Sequence, residues 1–314
     1  MIFVLLLKNT DIRRWRGGSF VFLADRWQDF ELIDAGRGEK LERWGSVLLN
    51  RPEPQAIWPH DPWPQPDAWY IRSNQGGGSW KCRCTVPDPW VIHYDSPAGR
   101  LNFRLELMGF KHTGLFPEQA ANWDFCISLI QKAVQSGRSV HVLNLFAYTG
   151  GATVACAAAG ADLVVHLDAS KGMNERAKEN LRLSGLETKT VRFISDDVQK
   201  FVARELRRGH HYDAILMDPP AFGRGPSGEL WKIEDGLYHL VDQCAHLLSS
   251  SPLFFLLNAY ATALAPTVLV NMLNLLVCPQ YGGTAVSEEI CLPASKRPVF
   301  LPCGATARWT PASR

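Results

Sequence analysis

The sequence contains no unbroken apolar stretch of the roughly 18–20 residues that a membrane helix needs. Leu253–Leu257 and Leu269–Val277 come nearest, and Asn258 and Pro266 interrupt them. Ile2–Leu7 is apolar, but it is too short for a secretory core and has neither a basic start nor a small-residue cleavage site; it reads as a strand. Charge of one sign is not in excess either: 33 Lys and Arg face 31 Asp and Glu, a formal net charge of +2. That balance neither supports nor excludes RNA as a partner, which a strongly basic chain would have advertised. The eight cysteines have no paired C-x-x-C spacing, so reduced thiols are expected and a zinc site is not. The three-glycine dinucleotide fingerprint is also missing, which counts against a nicotinamide enzyme. The expectation is a cytoplasmic protein with a sizeable core, no metal and no membrane contact. No oligomeric state follows from it.

What is present centres on residues 140–154. Val140–Asn144 reads as a buried parallel strand and Ala152–Ala159 as a small-residue helix, joined by a turn over Phe146–Gly151. Glycines in such a turn let a ligand approach the backbone. Three further strands follow, each ending in a polar tip. Asp162–Leu167 runs into Asp168 and Ser170, Thr190–Ile194 into Asp196, Asp197 and Val198, and Asp213–Met217 into Asp218, Pro219, Pro220 and Phe222. In an open parallel sheet the carboxyl ends of the strands form the ligand crevice, so these tips are expected to converge.

Four motifs taken in order carry a resemblance: Lys111–Gln119, the Asn144–Thr153 turn, Asp196–Val198 and Asp218–Gly225. Together they resemble the class I S-adenosylmethionine-dependent methyltransferases, and more narrowly the bacterial family related to the 23S ribosomal RNA large-subunit methyltransferases. The likeness covers about residues 100–260. It implies an α/β fold: a Rossmann-like seven-stranded sheet with helices on both faces, preceded by a small mostly-β N-terminal domain. Residues 1–100 would be that domain and 101–314 the methyltransferase domain.

The resemblance also implies roles. S-adenosyl-L-methionine is the expected cofactor, with Phe116 and Gln119 in a lid over it. Asn144, Phe146, Tyr148, Thr149 and Gly150 would line its methionine half. Asp168, with Ser170, would hold the ribose hydroxyls, although an Asp there also suits a helix N-cap. Asp197, helped by Asp196 and the Val198 amide, would meet the adenine. Asp218 and the Pro219 carbonyl are the expected catalytic acceptors for an exocyclic amino group, with Phe222 stacking on the base. Methylation of cytosine C5 requires a thiolate. In the related enzymes a cysteine follows the fifth strand; here that place reads Leu256-Leu-Asn-Ala-Tyr260. Transfer to a nucleobase nitrogen in RNA, ribosomal RNA foremost, is therefore expected, or else to an oxygen. A small-molecule or protein acceptor stays open, as does a non-catalytic RNA-binding protein that retains the fold.

The first hundred residues hold eight of the 11 tryptophans and nine of the 20 prolines. Short alternating segments there, such as Ser19–Leu23 and Phe30–Asp34, predict strands. Trp58, Trp63 and Trp69 lie between closely spaced prolines. Such rings either stack on bases or plug a small core, and the second use is the commoner. Downstream, helices are expected over about 118–135, 170–183, 198–208 and 233–248, and over 263–277 with an early break at Pro266. Glycines 223, 225 and 228 suggest a loop that orders only with substrate.

Overall fold

A computed structural model describes residues 12–14, 20–73, 77–225, 228–260 and 264–312. Ile2–Leu7 and residues 74–76 lie outside these. Strands come first: β1 (Ile12–Arg14), β2 (Phe20–Leu23), β3 (Phe30–Gly36), β4 (Glu39–Trp44), β5 (Val47–Pro52), β6 (Ala68–Arg72), β7 (Gly78–Cys82), β8 (Trp90–Ser96) and β9 (Gly99–Leu105). Alternation of strand and helix follows: α1 (Ala120–Gln135), β10 (His141–Leu145), α2 (Gly151–Ala158), β11 (Leu163–Asp168), α3 (Lys171–Leu183), β12 (Val191–Ser195), α4 (Val198–Arg208) and β13 (Ala214–Met217). The chain then makes β14 (Phe222–Arg224), β15 (Leu230–Lys232), α5 (Ile233–Ala245), β16 (Phe254–Ala259), α6 (Pro266–Leu276), α7 (Cys278–Tyr281), β17 (Thr284–Pro293) and β18 (Phe300–Thr310).

The main sheet runs β1-β2-β17-β18-β16-β13-β10-β11-β12. From β16 to β12 neighbouring strands are parallel, while β18 is antiparallel to both β16 and β17. Strands buried on both faces read as continuous apolar runs because each side chain finds a core whichever way it points. Val142, Ala214 and Phe254 belong to one core with residues of α1 and α2; Leu143, Ile215 and Phe255 belong to the other with residues of α4, α5 and α6. The expected seven strands are present. Two more join them, since β2 runs parallel to β17, pairing Phe22 with Ile290.

Pro266 does not break a helix. It occupies the first turn of α6, where a missing N–H costs nothing, behind an extended Ala265. The glycine-bearing segment after Asp218 carries two short strands, one on each side of residues 226–227, which lie outside the described residues. β14 and β15 form an antiparallel hairpin, Trp231 is buried against Phe146, and the Trp231 indole donates to the Pro220 carbonyl at 2.7 Å.

The remaining early strands build a five-stranded sheet, β3-β4-β5-β6-β7, and a β8-β9 hairpin. Leu32, Trp44 and Leu49 of the small sheet share the core of α1 and α2. The inner face of this sheet also carries charge. Arg51 grips Glu42 with two hydrogen bonds of 2.7 and 2.8 Å, and Lys40 lies 3.4 Å from Glu42 and 3.3 Å from Glu53. Burial opposes the Glu42 charge, but Arg51 and Lys40 overcome it and hold the carboxyl down at about 2. Arg51 also donates to the Lys111 carbonyl, and the Lys111 ammonium to the Pro52 carbonyl. The small sheet thus fixes the segment that leads into α1.

Candidate active site

A cleft of about 550 Å³ opens at the carboxyl ends of the central strands. One wall is the turn after β10. Phe146 and Tyr148 take left-handed backbone angles there, with φ of 55° and 51°, and Gly150 follows at 82°. Two aromatic residues in that region store strain of roughly 1–3 kcal/mol each, which the surroundings must hold in place. Three bonds do so. Ala147 N–H donates to the Leu167 carbonyl, Tyr148 N–H to Asp168 Oδ2 at 2.9 Å, and Thr149 Oγ1 to the Gly114 carbonyl at 2.6 Å. A side chain at Gly150 would place Cβ 2.8 Å from that of Ala177, so this glycine is required by both angle and space.

Asp168 ends β11, beside β10, half-exposed. Its second oxygen accepts from Ser170 N–H at 2.8 Å, and Ser170 caps α3. Burial raises the Asp168 carboxyl more than the two N–H donors lower it, and a carboxylate has more lone pairs than these two donors occupy. Asn144 lines the cleft while its amide donates to Thr153 Oγ1, which is hydrogen-bonded with His166 Nδ1. Burial depresses that imidazole to about 3, so it is neutral and structural.

Asp218 ends β13, on the other side of β10. Asn258 Nδ2 donates to its Oδ1 at 2.8 Å, and Gln119 Nε2 lies 3.5 Å from its Oδ2. Burial is the main cause that pushes this carboxyl up to about 7, with the nearby Glu118 adding to it and Asn258 opposing. Gln119 also donates to Tyr260 Oη at 2.8 Å and accepts from Asn122 Nδ2 at 2.8 Å. Asn122 is held in turn by Arg308, whose guanidinium lies 3.7 Å from the ring centroid of Phe22 and 4.7 Å from that of Phe125. Phe116 packs between Tyr148 and Tyr260, 5.3 Å from each, and roofs the cleft.

Among the expected residues, Phe116, Gln119, Asn144, Phe146, Tyr148, Thr149 and Asp218 line the cleft together. Gly150 lies at its edge as the cap of α2. Asp196, Asp197 and Val198 stand two strands away from β10, at the tip of β12. The Asp197 side chain caps α4 through Lys200 N–H at 2.9 Å, Asp196 pairs with Arg204 at 2.7 Å, and the Val198 side chain is buried in the core. Pro219 is buried, and Phe222 is 58% exposed on β14. Sequence reasoning missed Trp123, Asn122 and Tyr260. The i, i+3 spacing of Gln119 and Asn122 at a helix start, and an aromatic residue directly after the fifth strand, were the available signals.

The residues fit a cofactor that pairs a nucleoside with an amino acid. A carboxylate with lone pairs to spare stands at one strand tip, aromatic and apolar walls follow, and the Gly150–Gly151 backbone opens a helix.

A family model described as S-adenosylmethionine-dependent methyltransferase matches residues 81–250. Over 138 residues the chain is 31% identical to the ribosomal RNA large subunit methyltransferase I of Aeromonas hydrophila, covering 44% of this chain and 32% of that protein. Over 188 residues it is 28% identical to the ribosomal RNA large subunit methyltransferase K of Neisseria meningitidis serogroup B, covering 60% and 49%. The chain therefore spans less than half the length of these curated relatives. A crystal structure of a SAM-dependent methyltransferase from Agrobacterium tumefaciens is 36% identical, with 91% of this chain and 92% of that one covered and a TM-score of 0.83. A Streptococcus mutans structure at 15% identity, with a TM-score of 0.65 over 91% of this chain and 76% of that one, shares the fold.

Proposed function

The chain belongs to the S-adenosylmethionine-dependent methyltransferases, and on that premise we propose that it methylates an exocyclic nucleobase nitrogen in RNA, ribosomal RNA foremost. The cofactor, when bound, supplies an activated methyl group. Asp168 and Ser170 would hold its ribose, the Phe146–Gly150 turn and Asn144 its amino-acid half, and Asp197 with Asp196 and the Val198 amide its adenine. Phe116 and Gln119 would close over it. The acceptor amine would donate hydrogen bonds to the Asp218 carboxylate and the Pro219 carbonyl while Phe222 stacks on the base. Asp218 would take the proton that the nitrogen loses as it gains the methyl group, a task suited to a carboxyl poised at about 7.

One observation carries the choice of nitrogen: the described residues lining the cleft include a carboxylate and four side-chain amides but no cysteine. Carbon methylation of a pyrimidine would lack its nucleophile. A cytoplasmic location belongs to this reading, and the free state of all eight cysteines suits it. So does the division near residue 100 into a β-rich unit and a catalytic unit, with β1 and β2 counted with the catalytic sheet. Among the described residues no helix is long and apolar enough to cross a membrane.

The test is transfer of labelled methyl from S-adenosylmethionine to unmodified ribosomal RNA, with total protein and a small-molecule extract in parallel. Label in RNA that disappears with Asp218→Ala is the expected result. Label confined to protein or small molecules would overturn the RNA reading while leaving the cofactor assignment intact.

A further inference from the structure

The first hundred residues contain three tryptophans set between prolines, and the structure treats them differently. Trp58 donates its indole N–H to the Ala35 carbonyl at 2.6 Å, and Trp63 donates to Asp34 at 2.9 Å while stacking on His60 at 3.6 Å. Both indoles are engaged by the protein itself. The Trp69 side chain makes no hydrogen bond and no ring contact among the described residues, and it is half-exposed in an open groove of about 1110 Å³ on the small sheet. Ring, amide and guanidinium meet there: Trp69, Asn50 and Gln65 line the groove with Arg37 and Arg72. Lys81 pairs directly across from Trp69 on β7, so its side chain shares that outer face.

The cations of this sheet fall into two sets. Lys40, Arg43 and Arg51 have carboxylate partners. Arg37, Arg72 and Lys81 are exposed and have none among the described residues, while Glu39, the acidic residue of the groove, accepts from Asn50 at 3.1 Å. Arg37 is also held in an unusual place. It sits at φ 50° in the two-residue turn between β3 and β4, where Asn or Gly is the ordinary choice. The turn is clamped by Arg37 N–H to the Trp58 carbonyl at 2.7 Å and Gly38 N–H to the Ala56 carbonyl at 2.8 Å. The exposed Arg37 guanidinium is thus carried on a turn whose backbone is held in place.

We infer that this groove binds a single-stranded segment of RNA, one base stacking on Trp69 and the flanking phosphates meeting Arg37, Arg72 and Lys81. A groove that brings together a flat ring, amides and cations matches the π-face, edges and phosphates of a nucleotide. The inference rests on the RNA reading above and adds a substrate-holding surface outside the cleft. Pro52, which lines the groove, accepts from Lys111 at 2.8 Å, so the groove is fastened to the segment that roofs the cleft.

The experiment measures anisotropy of a labelled single-stranded RNA of about 12 nucleotides, within the span such surfaces occupy, and of its duplex. Wild-type protein should prefer the single strand. Trp69→Ala should weaken it about tenfold or more, with Trp69→Phe recovering most of the loss. The triple variant Arg37→Ala, Arg72→Ala, Lys81→Ala, whose changes are all exposed, should lower the slope of log K against log salt by about 2. S-adenosylmethionine affinity should be unchanged throughout, which reports that each variant is folded. Absence of RNA binding by the wild type, or binding by the triple variant equal to the wild type, would overturn the groove. If RNA is methylated and the triple variant does so with unchanged KM, the groove fails and the RNA reading stands. If the variants lose RNA binding although wild-type protein methylates no RNA, the groove stands and the methylation reading fails.

Discussion

Two aspartates flank β10, one on each side, and the sheet presents them differently. Asp168 is met by two backbone N–H groups from the Tyr148 turn and the start of α3, whereas Asp218 is met by side-chain amides from Asn258 and Gln119. Backbone donors cannot swing away without unmaking the turn, so Asp168 is a fixed acceptor suited to a ligand that always arrives the same way. Side-chain donors are adjustable. Burial outweighs them and pushes the Asp218 carboxyl up to about 7, where small changes in its surroundings decide whether it carries a proton. On the proposed roles, the binding carboxylate is held by backbone and the reacting one by side chains.

The largest expected effect breaks the second member of the pair. Asp218→Asn should cut methyl transfer by about 10²–10⁴-fold while S-adenosylmethionine affinity stays within about twofold. Stability should move the opposite way. The folded carboxyl keeps its proton to about 7 against 3.8 ordinarily, so folding is increasingly disfavoured by this group as pH rises from about 4 through 7. The asparagine variant escapes that penalty and should melt higher than wild type at pH 8 in scanning calorimetry; an unchanged or lower midpoint would contradict the shift.

Breaking the first member should act on binding. Asp168→Ala should weaken S-adenosylmethionine by about tenfold or more in calorimetric titration, with the secondary structure retained, and leave two turn N–H groups without partners at a cost of about 1–3 kcal/mol each where they are buried. Tight binding by this variant would remove the ribose assignment. The smallest effect sharpens the contrast: Asn258→Ala removes the donor that holds Asp218 down, so its carboxyl should rise further. The acid limb of the pH–rate profile, expected near 7 for the wild type, should shift to higher pH, with much of the lost rate recovered at pH 9.

The polar strand tips were legible because each closes a continuous apolar run, and a run that needs no alternation is buried on both faces. Asp168 and Asp218 follow from that logic alone. Asp197 does not: an aspartate before a helix serves a cap equally well, and here it caps α4. Arg308 and Tyr260 were invisible because their roles depend on β18 lying beside β16 and on α1 crossing both, which no local pattern encodes. β14 and β15 were hidden by glycines, although Leu230-Trp231-Lys232 alternates and buries its tryptophan. Strand spacing marked β2 as a strand, but which sheet it joins depends on a partner at the far end of the chain.

That partner sets an order of assembly. Phe22 pairs with Ile290 and packs on Arg308, Leu32 bridges to Ala294, and Arg297 reaches back to Asp34. During synthesis the early strands leave the ribosome long before these residues do, and contacts so distant in sequence close late. Because Arg308 also holds Asn122, and through it Gln119, the Gln119 side of the cleft depends on β18 being in place. A nascent chain that has already made β10 through β13 therefore carries the turn after β10 without the Arg308–Asn122–Gln119 linkage that reaches Asp218.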